Sequence, residues 1–178
     1  CNLFYIEKQK NWERKRDGFI KQIQGYKMDR DIIVINLEEC EGFCIGEYQN
    51  RGCSVTYDNI KDKIDSYVDF TRTKAEICSV VIFVGELDVS YQYSIGKKIM
   101  FELKAADSIS NIEVECRLKN RDVRKKVVTS SDWESYSIPL SEFGGDVSEW
   151  KSLKEIKFLL RRKNNSGGKI EIRNMKIK

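Results

Sequence analysis

In the second half of the chain, apolar residues fall at every second position. Ile99, Phe101 and Leu103 share one parity, as do Ile112, Val114, Cys116 and Leu118. Tyr136, Ile138 and Leu140 repeat the pattern, and so do Ile156, Phe158 and Leu160. A period of two sends successive side chains to opposite faces of a strand, so each run has one face to bury and one to wet. Turn-forming residues separate the runs, and helical periodicity is weak after residue 30. That combination predicts an all-β, antiparallel sandwich. Earlier strand candidates are residues 32–37, 53–57, 66–70 and 78–84. The last is apolar on both parities, as a central strand covered on both faces would be. Ile170 and Ile172 lie on one parity and Met175 and Ile177 on the other, which predicts a bulge near Arg173 and Asn174. Residues 38–46 read as a loop rich in Glu, Gly and Cys, and residues 85–96 as a long loop or irregular edge.

Residues 1–30 have a different texture. Trp12, Phe19, Ile20, Ile23 and Tyr26 recur near a helical period among charged residues. The expected organisation is therefore a short helical extension or linker over 1–30 and a β-sandwich over 31–178. At 178 residues the chain is long enough to bury a proper core. No apolar run approaches the ~20 residues that a membrane-spanning helix needs. The 32 basic and 28 acidic residues are interspersed, which argues against the concentrated basic face of a nucleic-acid binder. Histidine is absent, and with it Ser-His-Asp and Cys-His catalysis, His-ligated zinc and any imidazole switch. Of the six cysteines, Cys116 falls on the buried parity of its strand and reads as a free thiol, while Cys40, Cys44 and Cys53 are close enough in sequence for one bridge. The chain starts at Cys1 rather than Met, which suits a processed product or a fragment.

The ending carries a resemblance. Asp132-WESYSIPLSEF, then Trp150 leading into a strand, then a Ser-Gly-Gly turn and a last strand, together with residues 65–70 (DSYVDF) and the segment Leu87 to Tyr93, is similar to carbohydrate-binding modules with a galactose-binding-like jelly roll. The resemblance covers residues 31–178 and is densest from Trp133 to Ile177. It implies a jelly-roll sandwich and a non-catalytic module that tethers a larger protein to a glycan, outside the cell or at its surface. Many such modules hold a structural calcium near the first and last strands, which here points to Glu38 and Glu39. The last strand offers Arg173 and Asn174 where the family often has an acidic residue.

Sugars are bound by aromatic platforms beside carboxylates and guanidinium groups. The candidate ligand-binding residues are Tyr48, Tyr67, Tyr91, Tyr93, Glu113, Glu115, Arg117, Trp133 and Arg161. Met100, Glu102 and Lys104 join Glu113, Glu115, Arg117, Lys157, Leu159 and Arg161 as residues expected to point away from the core. The alternative reading is a protein–protein interaction or assembly domain on the same fold without sugar binding. Catalysis is not expected: glycoside hydrolysis needs two carboxylates across a cleft, and Glu113 and Glu115 are neighbours on one strand face. The partners expected are a glycan and a neighbouring domain of a larger protein, with no nucleic acid and no membrane span.

Overall fold

The computed structural model describes residues 26–29, 32–47, 49 and 51–178. Twelve strands build two antiparallel sheets packed face to face. They are β1 (Tyr26–Asp29), β2 (Ile32–Ile35), β3 (Cys40–Cys44), β4 (Cys53–Asp58), β5 (Lys63–Asp69) and β6 (Ile77–Leu87). There follow β7 (Lys98–Ala105), β8 (Asn111–Arg117), β9 (Asp122–Val128), β10 (Glu134–Pro139), β11 (Leu153–Arg161) and β12 (Gly167–Ile177). Two short helices, α1 (Ser90–Ser94) and α2 (Leu140–Phe143), close one end.

The first sheet has seven strands, with β12 at its centre. One edge of β12 pairs with β5 and then β2, the other with β7, and β4, β1 and β10 complete the layer. The second sheet has five strands in the order β3-β6-β11-β8-β9. The all-β sandwich expected from the alternation is therefore the observed architecture. Of the helical pattern read through Trp12, Phe19, Ile20, Ile23 and Tyr26, all but Tyr26 lies outside the described residues. Tyr26–Asp29 is a strand paired with β2, so the sheet starts before the boundary placed at residue 31.

The core lies between the sheets. Ile99, Phe101, Leu103, Ile170 and Ile172 from the first meet Ile112, Val114, Cys116, Ile156, Phe158 and Leu160 from the second. The Phe101 ring stacks on Tyr136 at 5.1 Å and meets Phe158 edge-on at 5.1 Å, an arrangement the ring quadrupoles favour. Residues 78–84 are apolar on both parities because both faces of β6 are buried: Cys78, Val80, Ile82 and Val84 face the core between the sheets, and Ser79, Val81 and Phe83 are buried on the opposite side. The expected bulge is present: the β12–β7 register shifts between Arg173 and Lys176, and Asn174 takes a φ of 55°. A second irregularity interrupts β6 against β11 between Leu153 and Glu155, beside Gly85 at φ 103°. Few L-residues adopt that conformation, so glycine fits there.

Several local expectations change. Residues 40–44 form an edge strand, β3, rather than a loop. The segment 85–96 divides into the end of β6 and helix α1. Strand β9 carries only Val123 and Val127 on its inner parity, too few apolar residues to announce it. A disulfide joins Cys44 to Cys78, directly opposed in the β3–β6 ladder, and no two of the three clustered cysteines are bridged to each other. Cys53 and Cys116 are buried free thiols. Burial pushes the Cys53 thiol up to about 11, with the Ser66 hydroxyl pulling the other way, and raises that of Cys116 further.

Candidate functional site

Parity tells which residues leave the core but not which layer they leave from. The structure divides the residues expected to share one ligand face between opposite sides of the sandwich. Met100, Glu102 and Lys104 belong to β7 and the outer face of the seven-stranded sheet. Glu113, Glu115, Arg117, Lys157, Leu159 and Arg161 belong to β8 and β11, on the outer face of the five-stranded sheet.

On that second face, register sets the charges in rows. Glu115 stands opposite Arg124 on β9 and Lys157 on β11, and Glu113 is opposite Leu159, one row from Arg161. Lys157 Nζ donates to Glu115 Oε1 at 2.8 Å, and Arg124 Nε donates to Glu115 Oε2. Arg161 grips Glu113 with two parallel bonds of 2.9 Å each, from Nε and Nη2. Such a fork fixes both position and orientation. The Arg161 guanidinium holds the Glu113 carboxyl below its ordinary range, with partial burial working against it. Glu155 is wholly buried; its Oε2 lies 3.4 Å from Lys157 Nζ and 3.5 Å from Arg117 Nη1, and neither carboxylate oxygen accepts a hydrogen bond. Arg117 also pairs with Asp122 at 3.2 Å.

This is a lattice with deep carboxylates and shallower cations. Glu115 and Glu155 are anchors beneath the surface, since burying a carboxylate is tolerable only beside compensating charge. Arg124, Arg161, Glu113 and, more deeply, Lys157 present the polar groups a ligand can reach. Val81, Phe83 and Leu159, on the same parity, are buried although they lie outside the main core cluster. Phe43 on β3, opposite Ser79, is partly exposed and stands at the far end of the Glu113 row. The sequence reading missed Phe43 and Arg124 because β3 and β9 were not recognised as strands.

The aromatic candidates go elsewhere. Tyr67 is 54% exposed on the outer face of the seven-stranded sheet. Trp133 lies on that same face, with the Arg173 guanidinium 4.0 Å above its ring, and Arg173 in turn pairs with Glu102 at 2.6 Å. Tyr91 on α1 is 65% exposed at the rim. Tyr93 is committed to structure: it stacks on Trp150 at 5.6 Å and its hydroxyl donates to the Gly145 carbonyl at 2.9 Å. Tyr48 lies outside the described residues. Among the described residues no three His, Cys, Asp or Glu side chains come together to hold a metal ion. No described helix is long and apolar enough to cross a membrane.

The sequence of residues 85–178 matches the carbohydrate binding domain 30 family, more than half of the chain. The chain belongs to this family. It is a carbohydrate-binding module. The matched part runs from the end of β6 through β12 and holds β8, β9 and β11, three of the five strands of the charged face. No curated protein matches the chain. Among solved structures, the module resembles a family 30 carbohydrate-binding module at 18% identity, with 90% of this chain and 89% of that one covered and a TM-score of 0.55. It is similar to the family 30 module of a cellulosomal cellulase of Clostridium thermocellum at 18% identity, covering 79% and 86%, TM-score 0.53. It is also similar to the family 11 module of Clostridium thermocellum solved with a β-1,3-1,4-mixed-linked tetrasaccharide, at 17% identity, 87% and 92% coverage and a TM-score of 0.52. At these identities the likeness is one of fold. Glu113 and Glu115 lie side by side on β8, each held by cations, and do not face one another across a cleft.

Proposed function

We propose that the module's glycan lies over the β8–β9 side of the five-stranded sheet's outer face, contacting Glu113, Arg161 and Arg124. The observation that carries this reading is the Glu113–Arg161 fork, set beside a Glu115 carboxylate that immobilises both Lys157 and Arg124. Sugar hydroxyls both donate and accept, and charged groups already fixed in place lose little entropy on binding them. The seven-stranded face also offers aromatics, in Tyr67 and Trp133, and an ion-pair network of its own around Lys63, Asp65, Lys169 and Glu171.

Affinity electrophoresis through soluble polysaccharides separates the two faces. Arg161→Ala and Glu113→Ala, each shown to be folded by circular dichroism, are expected to weaken retardation about tenfold. Tyr67→Ala and Trp133→Ala are expected to leave it unchanged, and the opposite pattern would move the site to the seven-stranded sheet.

The natural role of such a module is to hold a larger protein against its glycan. The Cys44–Cys78 disulfide supports work outside the reducing cytosol, at the cell surface or beyond it. A calcium ion at Glu38 and Glu39 would need backbone carbonyls for its remaining oxygen ligands. Repeating the binding and melting experiments in chelator tests it, since an unchanged melting temperature and affinity remove calcium from the description.

A further inference from the structure

At the end of the charged face, the β8–β9 hairpin and the start of β11 enclose a cavity of about 310 Å³. Its wall is cationic: Arg117, Lys119, Arg121 and Lys154 line it, against a single lining carboxylate, Asp122. Three nearby carboxylates account for two of these cations. Asp122 and Glu155 hold Arg117 at 3.2 and 3.5 Å, and Glu149 holds Arg121 at 3.4 Å. Among the described residues, Lys119 and Lys154 pair with no acidic group. Lys119 is exposed on the hairpin turn, which the Leu118 amide closes onto the Arg121 carbonyl at 2.9 Å. Lys154 is half-buried and sits within the β6–β11 irregularity. That break in the ladder is what places a lysine between two buried residues, Leu153 and Glu155, at the cavity wall.

A concave site with fixed guanidinium groups and two uncompensated ammonium groups is suited to an anion, because a partly enclosed wall concentrates the field of its charges. Arg117 links it to the lattice through Glu155, so the cavity is continuous with the face proposed to carry the glycan. We infer that this cavity receives an anionic substituent of the glycan, a uronate carboxylate or a sulfate ester, and so selects acidic over neutral polysaccharides. The inference rests on the proposed glycan face, of which it forms one end.

The test uses polymers that share a backbone and differ in charge: hydroxyethyl, carboxymethyl and sulfated cellulose, and homogalacturonan fully methyl-esterified or de-esterified. Binding is measured on the intact chain at low salt and again in 0.5 M sodium chloride, a concentration at which exposed charges more than a few ångströms apart are screened. The charged member of at least one series is expected to bind about five- to tenfold tighter than its neutral counterpart, with the preference gone at high salt. Carboxymethyl against sulfated cellulose distinguishes the two anions. Lys119→Ala with Lys154→Ala is expected to abolish the preference while neutral binding stays where it was. Both lysines are outside the core, so the double variant should remain folded, and its melting temperature verifies this. Equal binding of charged and neutral members, binding of none, or a preference that survives the double substitution overturns the inference. The Arg161→Ala variant keeps the two readings apart: if it weakens charged and neutral polymers alike, the glycan face stands whichever way the charge comparison falls.

Discussion

Replacing Trp150 should be the most damaging single change to the end of the module that carries the cavity. Trp150 is wholly buried, between Tyr93 at 5.6 Å and Phe143 at 6.2 Å, and its indole N–H donates to the Gly144 carbonyl at 3.1 Å. A side chain added at Gly145, which has a φ of 89°, would meet the indole nitrogen at 3.2 Å, so the loop is moulded onto the ring. Trp150→Ala removes the packing and leaves a void under α1 and α2, at a cost of about 3–5 kcal/mol. Trp150→Phe keeps much of the packing but strands the carbonyl, at about 1–3 kcal/mol. For a domain of this size the alanine variant should melt roughly 10 °C lower. Urea denaturation followed by far-ultraviolet circular dichroism, with the disulfide intact, measures both variants. A loss below about 1 kcal/mol for Trp150→Ala would refute the argument that this tryptophan anchors the loop.

Three further outcomes are expected. Reducing the Cys44–Cys78 bridge, whose cysteines are 34 residues apart, should cost about 3–4 kcal/mol on the loop-closure argument, read as a shift in the urea midpoint with and without reductant. A double-mutant cycle on Glu113 and Arg161 should give a coupling of about 0.5–1 kcal/mol, modest because both side chains touch solvent, and a coupling indistinguishable from zero would show that the fork is not preformed. Stability should also fall in acid. Burial alone would raise Asp65 and Glu171, but the Lys169 and Lys63 ammonium groups outweigh it and hold both carboxyls below their ordinary values. Their contribution is present above the unfolded carboxylate range, near pH 4, and is lost as the pH drops through the folded values. Asp65→Asn with Glu171→Gln should flatten that acid limb, as seen in melting temperatures between pH 3 and 6.

Strand identity was legible in the sequence wherever one face is buried, because alternation is a local property. Residues 99–104, 112–118 and 156–160 announced β7, β8 and β11, and a parity switch announced the bulge at Asn174. The edge strands of the five-stranded sheet were not legible: β3 and β9 bury too little on one side to leave a period, and β3 was read as a loop. The fold and the kind of ligand were carried by a resemblance made of packing residues, among them Trp150, Phe143 and Ile138, all of which the sandwich buries.

The composition of the charged face depended on non-local pairing. Alternation placed Glu102 and Glu115 alike outside the core, but it carries no information on which sheet a strand joins. Only the ladders do that, and they put the two carboxylates on opposite surfaces. The same holds for Cys44, whose partner is set by the β3–β6 register rather than by nearness in the chain, and for Lys154, placed at its cavity by an irregularity shared between two strands. The sequence by itself determined that this chain folds as a sandwich with a wet outer surface; long-range strand order decided which charges meet there.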